Sequence, residues 1–132
     1  MRSRLIITTA GAALAVGLAA TQVHAAGAGA AACGYDVCES TTNGSATLYL
    51  DRWAGGVWEV CDDASDGMRA KATVRYGGQT LNLQTTAGYG SCSSGQSLYP
   101  TPRSGAVVSY TVWVQDGAGG TPRYSSSGSY TW

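Results

Sequence analysis

The chain has no phenylalanine, one histidine and one lysine, and few charges of either sign. Each scarcity closes off something. Lysine and arginine number 8 against 8 aspartates and glutamates, so no basic excess announces a nucleic-acid footprint. Charged residues make up 12% and hydrophobic ones 44%, which is not the balance of a disordered chain. A length of 132 residues leaves room for one small domain. The single histidine, His24, falls in a segment expected to be removed.

That segment is residues 1–25. Arg2 and Arg4 form a positive n-region, residues 5–20 are an apolar run, and Val23-His24-Ala25 is a small-x-small cleavage signature. The run is shorter, and richer in Ala and Gly, than the ~20 strongly apolar residues of a spanning helix. It therefore reads as a secretory signal peptide, with an extracellular product and no membrane segment after cleavage. A chain starting at Ala26 carries six basic and eight acidic residues and no histidine. It lacks a Ser–His or Cys–His couple, an imidazole metal ligand and an ordinary near-neutral proton shuttle. The expectation is a non-enzymatic protein with no cofactor.

What remains is cysteine, glycine and aromatics. Cys33, Cys38, Cys61 and Cys92 form an even set, which in an exported chain implies two disulfides. The expected pairs are Cys33–Cys38, a local loop, and Cys61–Cys92, a staple between strands. On loop entropy they contribute about 2 and about 3.7 kcal/mol. A zinc site is the competing reading, but the spacing lacks paired C-x-x-C ribbons. With few aliphatic residues beyond Leu and Val, the core must draw on 8 Tyr and 4 Trp, side chains with large apolar bodies and polar tips.

Period-2 alternation runs through the chain. Ala46, Leu48 and Leu50 alternate with Thr47, Tyr49 and Asp51, and Trp58 shares a face with Val60. Met68, Ala70, Ala72, Val74 and Tyr76 oppose Arg69, Lys71, Thr73 and Arg75, which read as a solvated strand face. Gly77-Gly78 signals a hairpin returning through Leu81, Leu83 and Thr85. Val108, Tyr110, Val112 and Val114 oppose Ser109, Thr111 and Trp113; Tyr124, Ser126, Gly128, Tyr130 and Trp132 share the last face. The fold class expected is all-β: an antiparallel β-sandwich, immunoglobulin-like or similar, of six to seven strands over residues 45–132. Residues 26–44 are expected to form an N-terminal arm with a small disulfide loop.

Several residues are candidates for chemistry or binding. Asp62, Asp63 and Asp66 crowd hard oxygen ligands beside Gly67, as a calcium site would. The spacing also fits an ordinary Asp-rich turn, and residues this close rarely flank a sugar bond as a glycosidase pair. Tyr99-Pro-Thr-Pro-Arg-Ser-Gly105 is a proline-stiffened loop presenting Arg103, suited to a protease pocket or serving as a plain crossover. Arg52 and Trp53, beside a Gly-Gly turn, have hot-spot composition. Trp58 reads as core, whereas Trp53 and Trp113 are balanced between core and surface. Tyr130 and Trp132 close a serine-rich edge strand on which a partner strand can add.

The run Val60-Cys-Asp-Asp-Ala-Ser-Asp-Gly-Met-Arg-Ala-Lys-Ala-Thr-Val74, with Ser109-Tyr-Thr-Val-Trp-Val-Gln-Asp-Gly117, resembles small secreted sandwich proteins of actinomycetes. Among these, the adaptor subunit of umbrella-shaped toxin particles is similar in size, export signal and stapling. The likeness covers residues 33–132 in general pattern, and no functional residue carries over. It implies an adaptor that joins subunits by strand addition. Proteinaceous α-amylase inhibitors, also small stapled sandwiches, present Trp-Arg-Tyr where this chain has Asp51-Arg52-Trp53. The expected partner is another secreted protein, with carbohydrate as an alternative and nucleic acid excluded.

Overall fold

A computed structural model describes residues 33–132. The expected signal peptide, and residues 26–32 of the expected arm, lie outside the described residues. Alternation becomes eight strands: β1 (Val37–Ser40), β2 (Ala46–Asp51), β3 (Val57–Asp62), β4 (Arg69–Tyr76), β5 (Gln79–Gln84), β6 (Gln96–Ser97), β7 (Val107–Gln115) and β8 (Arg123–Thr131). They form two antiparallel four-stranded sheets, ordered β1-β2-β3-β6 and β5-β4-β7-β8. The antiparallel sandwich expected from the sequence is therefore present, with both disulfides paired as expected, Cys33–Cys38 and Cys61–Cys92.

The inward faces are the ones that the alternation marks. Leu48, Leu50, Trp58 and Val60 from the first sheet meet Ala72, Val74, Leu83, Val108, Val112 and Val114 from the second. Trp58 is the largest fully buried side chain, its ring 5.7 Å from that of Tyr110 across the sandwich. Its indole N–H finds no acceptor, a desolvation cost of about 1–3 kcal/mol that the bulk of the ring outweighs. Burial, then the charge of Glu39, push the Tyr110 hydroxyl above its ordinary pKa.

Two strands lie outside the expected set. Val37–Ser40 pairs with β2, Val37 opposite Leu50 and Ser40 opposite Thr47, so the sandwich begins at Val37 rather than at residue 45. Four residues that start at the end of a cysteine loop are too few to show a period. β6 is a two-residue pairing of Gln96 and Ser97 with Trp58 and Val57, set in a Gly- and Ser-rich stretch without alternation.

β1 and β8, outer strands of opposite sheets, lie side by side and are laced by polar contacts. Tyr130 Oη donates to Asp36 Oδ1 at 3.3 Å, Ser126 Oγ donates to Glu39 Oε1, and the Thr42 amide donates to the Tyr124 carbonyl at 2.9 Å. Tyr124, at φ 55°, stands at the register shift that sets β8 against β7. Farther along, Gly128 lies opposite Tyr110, whose ring covers it: a Cβ there would stand 2.6 Å from the Tyr110 hydroxyl oxygen. Gly128→Ala must displace a core ring, an overpacking cost of about 1–3 kcal/mol. Chemical denaturation of the variant is expected to show that loss; unchanged stability would mean that Tyr110 is free to swing away.

Candidate binding site

The hairpin between β2 and β3 turns at residues 52–56, and its shape is set by aspartates bonding backbone. Asp36 Oδ2 accepts from the Arg52 amide at 2.8 Å, and Asp51 Oδ1 from the Ala54 amide at 2.9 Å. Gly56 donates to the carbonyl of Asp51 at 3.1 Å with φ +75°. Glycine is required there twice over. The φ is left-handed, and a Cβ would stand 2.5 Å from Cη2 of Trp132.

Trp132 reaches that position because the end of β8 is tied down. Its amide donates to the Ala106 carbonyl and its carbonyl accepts from the Gly105 amide, both at 2.8 Å. Its ring is 9% exposed, stacks edge-on with Tyr130 at 6.3 Å, and carries the Arg52 guanidinium at 5.6 Å, a cation–π distance. Trp132, expected as a binding residue on the edge strand, is instead core. Tyr130 is half-buried.

Around this buried ring the surface is aromatic and basic. Trp53 is 96% exposed at the hairpin tip. Tyr99 is 89% exposed; its amide donates to Gln79 Oε1 at 2.9 Å, and a cis bond links it to Pro100. Arg103 is exposed beside buried Pro102. Its carbonyl accepts from the Ala106 amide at 2.9 Å, which folds Arg103 into a tight turn rather than the extended loop a protease pocket takes. The topology thus gathers Arg52, Trp53, Arg103, Tyr130 and Trp132 at one pole, and adds Tyr99. Tyr99 lies two residues beyond β6, and the sequence hint of its exposure is an aromatic ahead of a Pro-x-Pro run.

Trp113 and the three aspartates lie elsewhere. Trp113 is half-buried on the outer face of the second sheet, its indole N–H donating to Gln115 Oε1 at 2.9 Å. At the pole opposite Trp53, the carboxylates of Asp62, Asp63 and Asp66 do not all three lie within 4.8 Å of one another. Each is used in a turn or cross-strand bond: Asp62 Oδ1 takes the Ala64 amide, Asp66 Oδ1 the Met68 amide, and Asp63 Oδ2 the Thr47 hydroxyl. These are the bonds that an Asp-rich turn makes. Among the described residues, the one cluster of metal-ligating types is Glu59 with Cys61 and Cys92, whose sulfurs are joined in a disulfide. No cysteine among them is free for zinc.

Asp62 is the exception among the acids. It points inward from β3, 2% exposed, with Oδ2 unpartnered, and with Met68, Arg69 and Tyr89 it lines an open cavity of about 340 Å³. No helix among the described residues is long and apolar enough to cross a membrane. No protein-family model, curated protein or solved structure matches the chain.

Burial raises the Asp62 pKa above the ordinary carboxylate value, with smaller contributions from the charges of Asp66 and Asp63 and an opposing bond from the Ala64 amide. A raised folded-state pKa means the folded protein holds the proton more tightly than the unfolded chain. The stability linked to it is full below the unfolded pKa and is lost as pH rises through the folded one. Asp62→Asn cannot ionise, so its stability relative to the parent is expected to increase from about pH 3 to about pH 7. Urea midpoints at both values check this, and a constant difference would show that Asp62 titrates normally.

Proposed function

We propose that the protein is a secreted, non-enzymatic binding protein that contacts another extracellular protein through the pole carrying Arg52, Trp53, Tyr99 and Arg103, as an adaptor within a larger assembly such as a toxin particle. The observation that carries this reading is Trp53. A tryptophan left 96% exposed, beside an Arg–Trp stack and a second exposed aromatic, is costly to leave in water and has the composition of a binding hot spot. The backbone beneath it is held by Asp36 and Asp51 and the neighbouring Arg52 side chain rests on Trp132, so little ordering cost is left for binding.

An adaptor needs two surfaces. The second is the open edge of β8. Trp132 bonds toward β7 through both its amide and its carbonyl, so in an antiparallel ladder the amides of Ser127, Ser129 and Thr131 point away from β7. That edge has no lysine or proline between residues 125 and 132 to discourage an added strand. Inhibition of a hydrolase is the alternative use of the same pole, favoured by the Arg52–Trp53 tip.

Tagged protein is expected to capture a partner from the producer's culture fluid. Trp53→Ala and Arg103→Ala should each weaken that capture at unchanged thermal stability, with a hot-spot loss of about 2 kcal/mol, or ~30-fold, for the tryptophan. Recovery of monomer alone, or capture indifferent to both substitutions, would remove the pole from the account. Inhibition of a trypsin-like protease or an amylase, lost in the same variants, would favour the alternative.

A further inference from the structure

Charge is divided between the two sheets. The strands of the first contain Glu39, Asp51, Glu59 and Asp62 and no base, whereas those of the second contain Arg69, Lys71, Arg75 and Arg123 and no acid. The overall balance conceals this, because acids in the first sheet and in the loops offset it. On the second sheet, Ala70, Ala72 and Val74 of β4 are buried, which turns Arg69, Lys71 and Arg75 to the outer face. At about 3.4 Å per residue the three cations form a line ~20 Å long.

The line is flanked by groups that bond hydroxyls. Thr73 lies between Asn82 and Thr111, and Arg75 between Thr80 and Ser109. Lys71 lies opposite Trp113, whose ring is half-buried and held by its bond to Gln115. With no carboxylate on any of the four strands, the cations have no partner on their own face. Of the acids in the first sheet, Glu39 lies opposite inward Leu48 and Asp62 is buried, so Asp51 and Glu59 alone face outward, on the far side of the sandwich and more than a sheet spacing of about 10 Å from the cations, beyond one screening length at physiological salt.

From this placement we infer that the outer face of the second sheet binds a linear anionic polysaccharide. Arg69, Lys71 and Arg75 pair with the repeating carboxylate or sulfate groups, Ser, Thr and Asn bond the sugar hydroxyls, and Trp113 supports a ring. A nucleic-acid surface is a poorer match, because single strands are held by successive aromatics and this face has one. The site is separate from the pole of Trp53 and independent of the function proposed for it.

The test measures binding of the full exported chain to heparin (sulfated), polygalacturonate (carboxylated), dextran (neutral) and single-stranded DNA, at low and high salt. The expected result is salt-sensitive binding to one or both acidic polysaccharides, none to dextran, and a change in tryptophan fluorescence on binding. Replacing Arg69, Lys71 and Arg75 together with Gln should weaken it about tenfold or more. The exposed single change Arg75→Gln should weaken it by less, and serves if the triple variant misfolds. Trp53→Ala should leave it unchanged. Absence of polysaccharide binding at low salt, equal binding to dextran, tighter binding to DNA, or binding that survives in correctly folded Gln variants would each overturn the assignment.

Discussion

The contact on which the candidate binding pole depends is the meeting of Trp132 with Gly56. It joins the end of one sheet to a hairpin of the other, and it is possible only because position 56 has no side chain: a Cβ would stand 2.5 Å from the indole. Burying an aromatic of this size contributes about 2–3 kcal/mol, but its structural effect reaches further. The ring is the floor on which the Arg52 guanidinium rests, and the strand end that carries it also anchors Gly105 and Ala106. Through them it fixes the turn that presents Arg103. Hairpin tip, proline segment and chain end are therefore one packed unit, and exposed Trp53 stands on a rigid base rather than on a mobile loop.

The remainder of the sandwich compensates for a core poor in large aliphatics. Trp58 and Tyr110 span the space between the sheets where Ile or Phe side chains would otherwise interdigitate, at the cost of an indole N–H with no acceptor. Where β7 meets β8, the bulk of Tyr110 must be matched by the absence of bulk at Gly128. Large and small residues are paired across strands, which is how a core of few side chains reaches close packing. The Cys61–Cys92 disulfide, continued as a bridge beside β3, holds the Gly- and Ser-rich segment that has few apolar side chains of its own. Polar bonds between β1 and β8 tie the two sheets to each other along one side, without pairing the backbone edge of β8 in a ladder.

Most of this fold is legible in the sequence because alternation is a local signal. Val108, Tyr110, Val112 and Val114 announce their buried face without reference to anything else in the chain. β1 and β6 are not legible in the same way, since strands of four and two residues exist through their partners, Leu50 and Trp58 among them. The site divides along the same line. Arg52 and Trp53 stand out by composition, but Trp132 looks the same on paper whether it faces solvent or lies under a hairpin. Only the crossing of the chain end over Gly56 decides between these. Tyr99 becomes a surface aromatic for a comparable reason: buried Leu98 and Pro102 on either side anchor the segment and leave the ring outside.

The acids and bases of the chain also do different work, which the net charge hides. Asp36, Asp51, Asp62 and Asp66 accept backbone amides, Asp63 a threonine hydroxyl and Glu39 a serine hydroxyl. Short carboxylates at turns satisfy amides that strand ends leave unpaired, so the acidic residues are spent largely on shaping loops and joining strands. The long basic side chains have no such task. Arg52 is held only by a ring face, and Arg69, Lys71 and Arg75 stand on strands without an acid. Among the described residues Glu59 and Asp116 are the acids without such a bond, so a chain whose composition balances to zero has more cations than anions left available for contact.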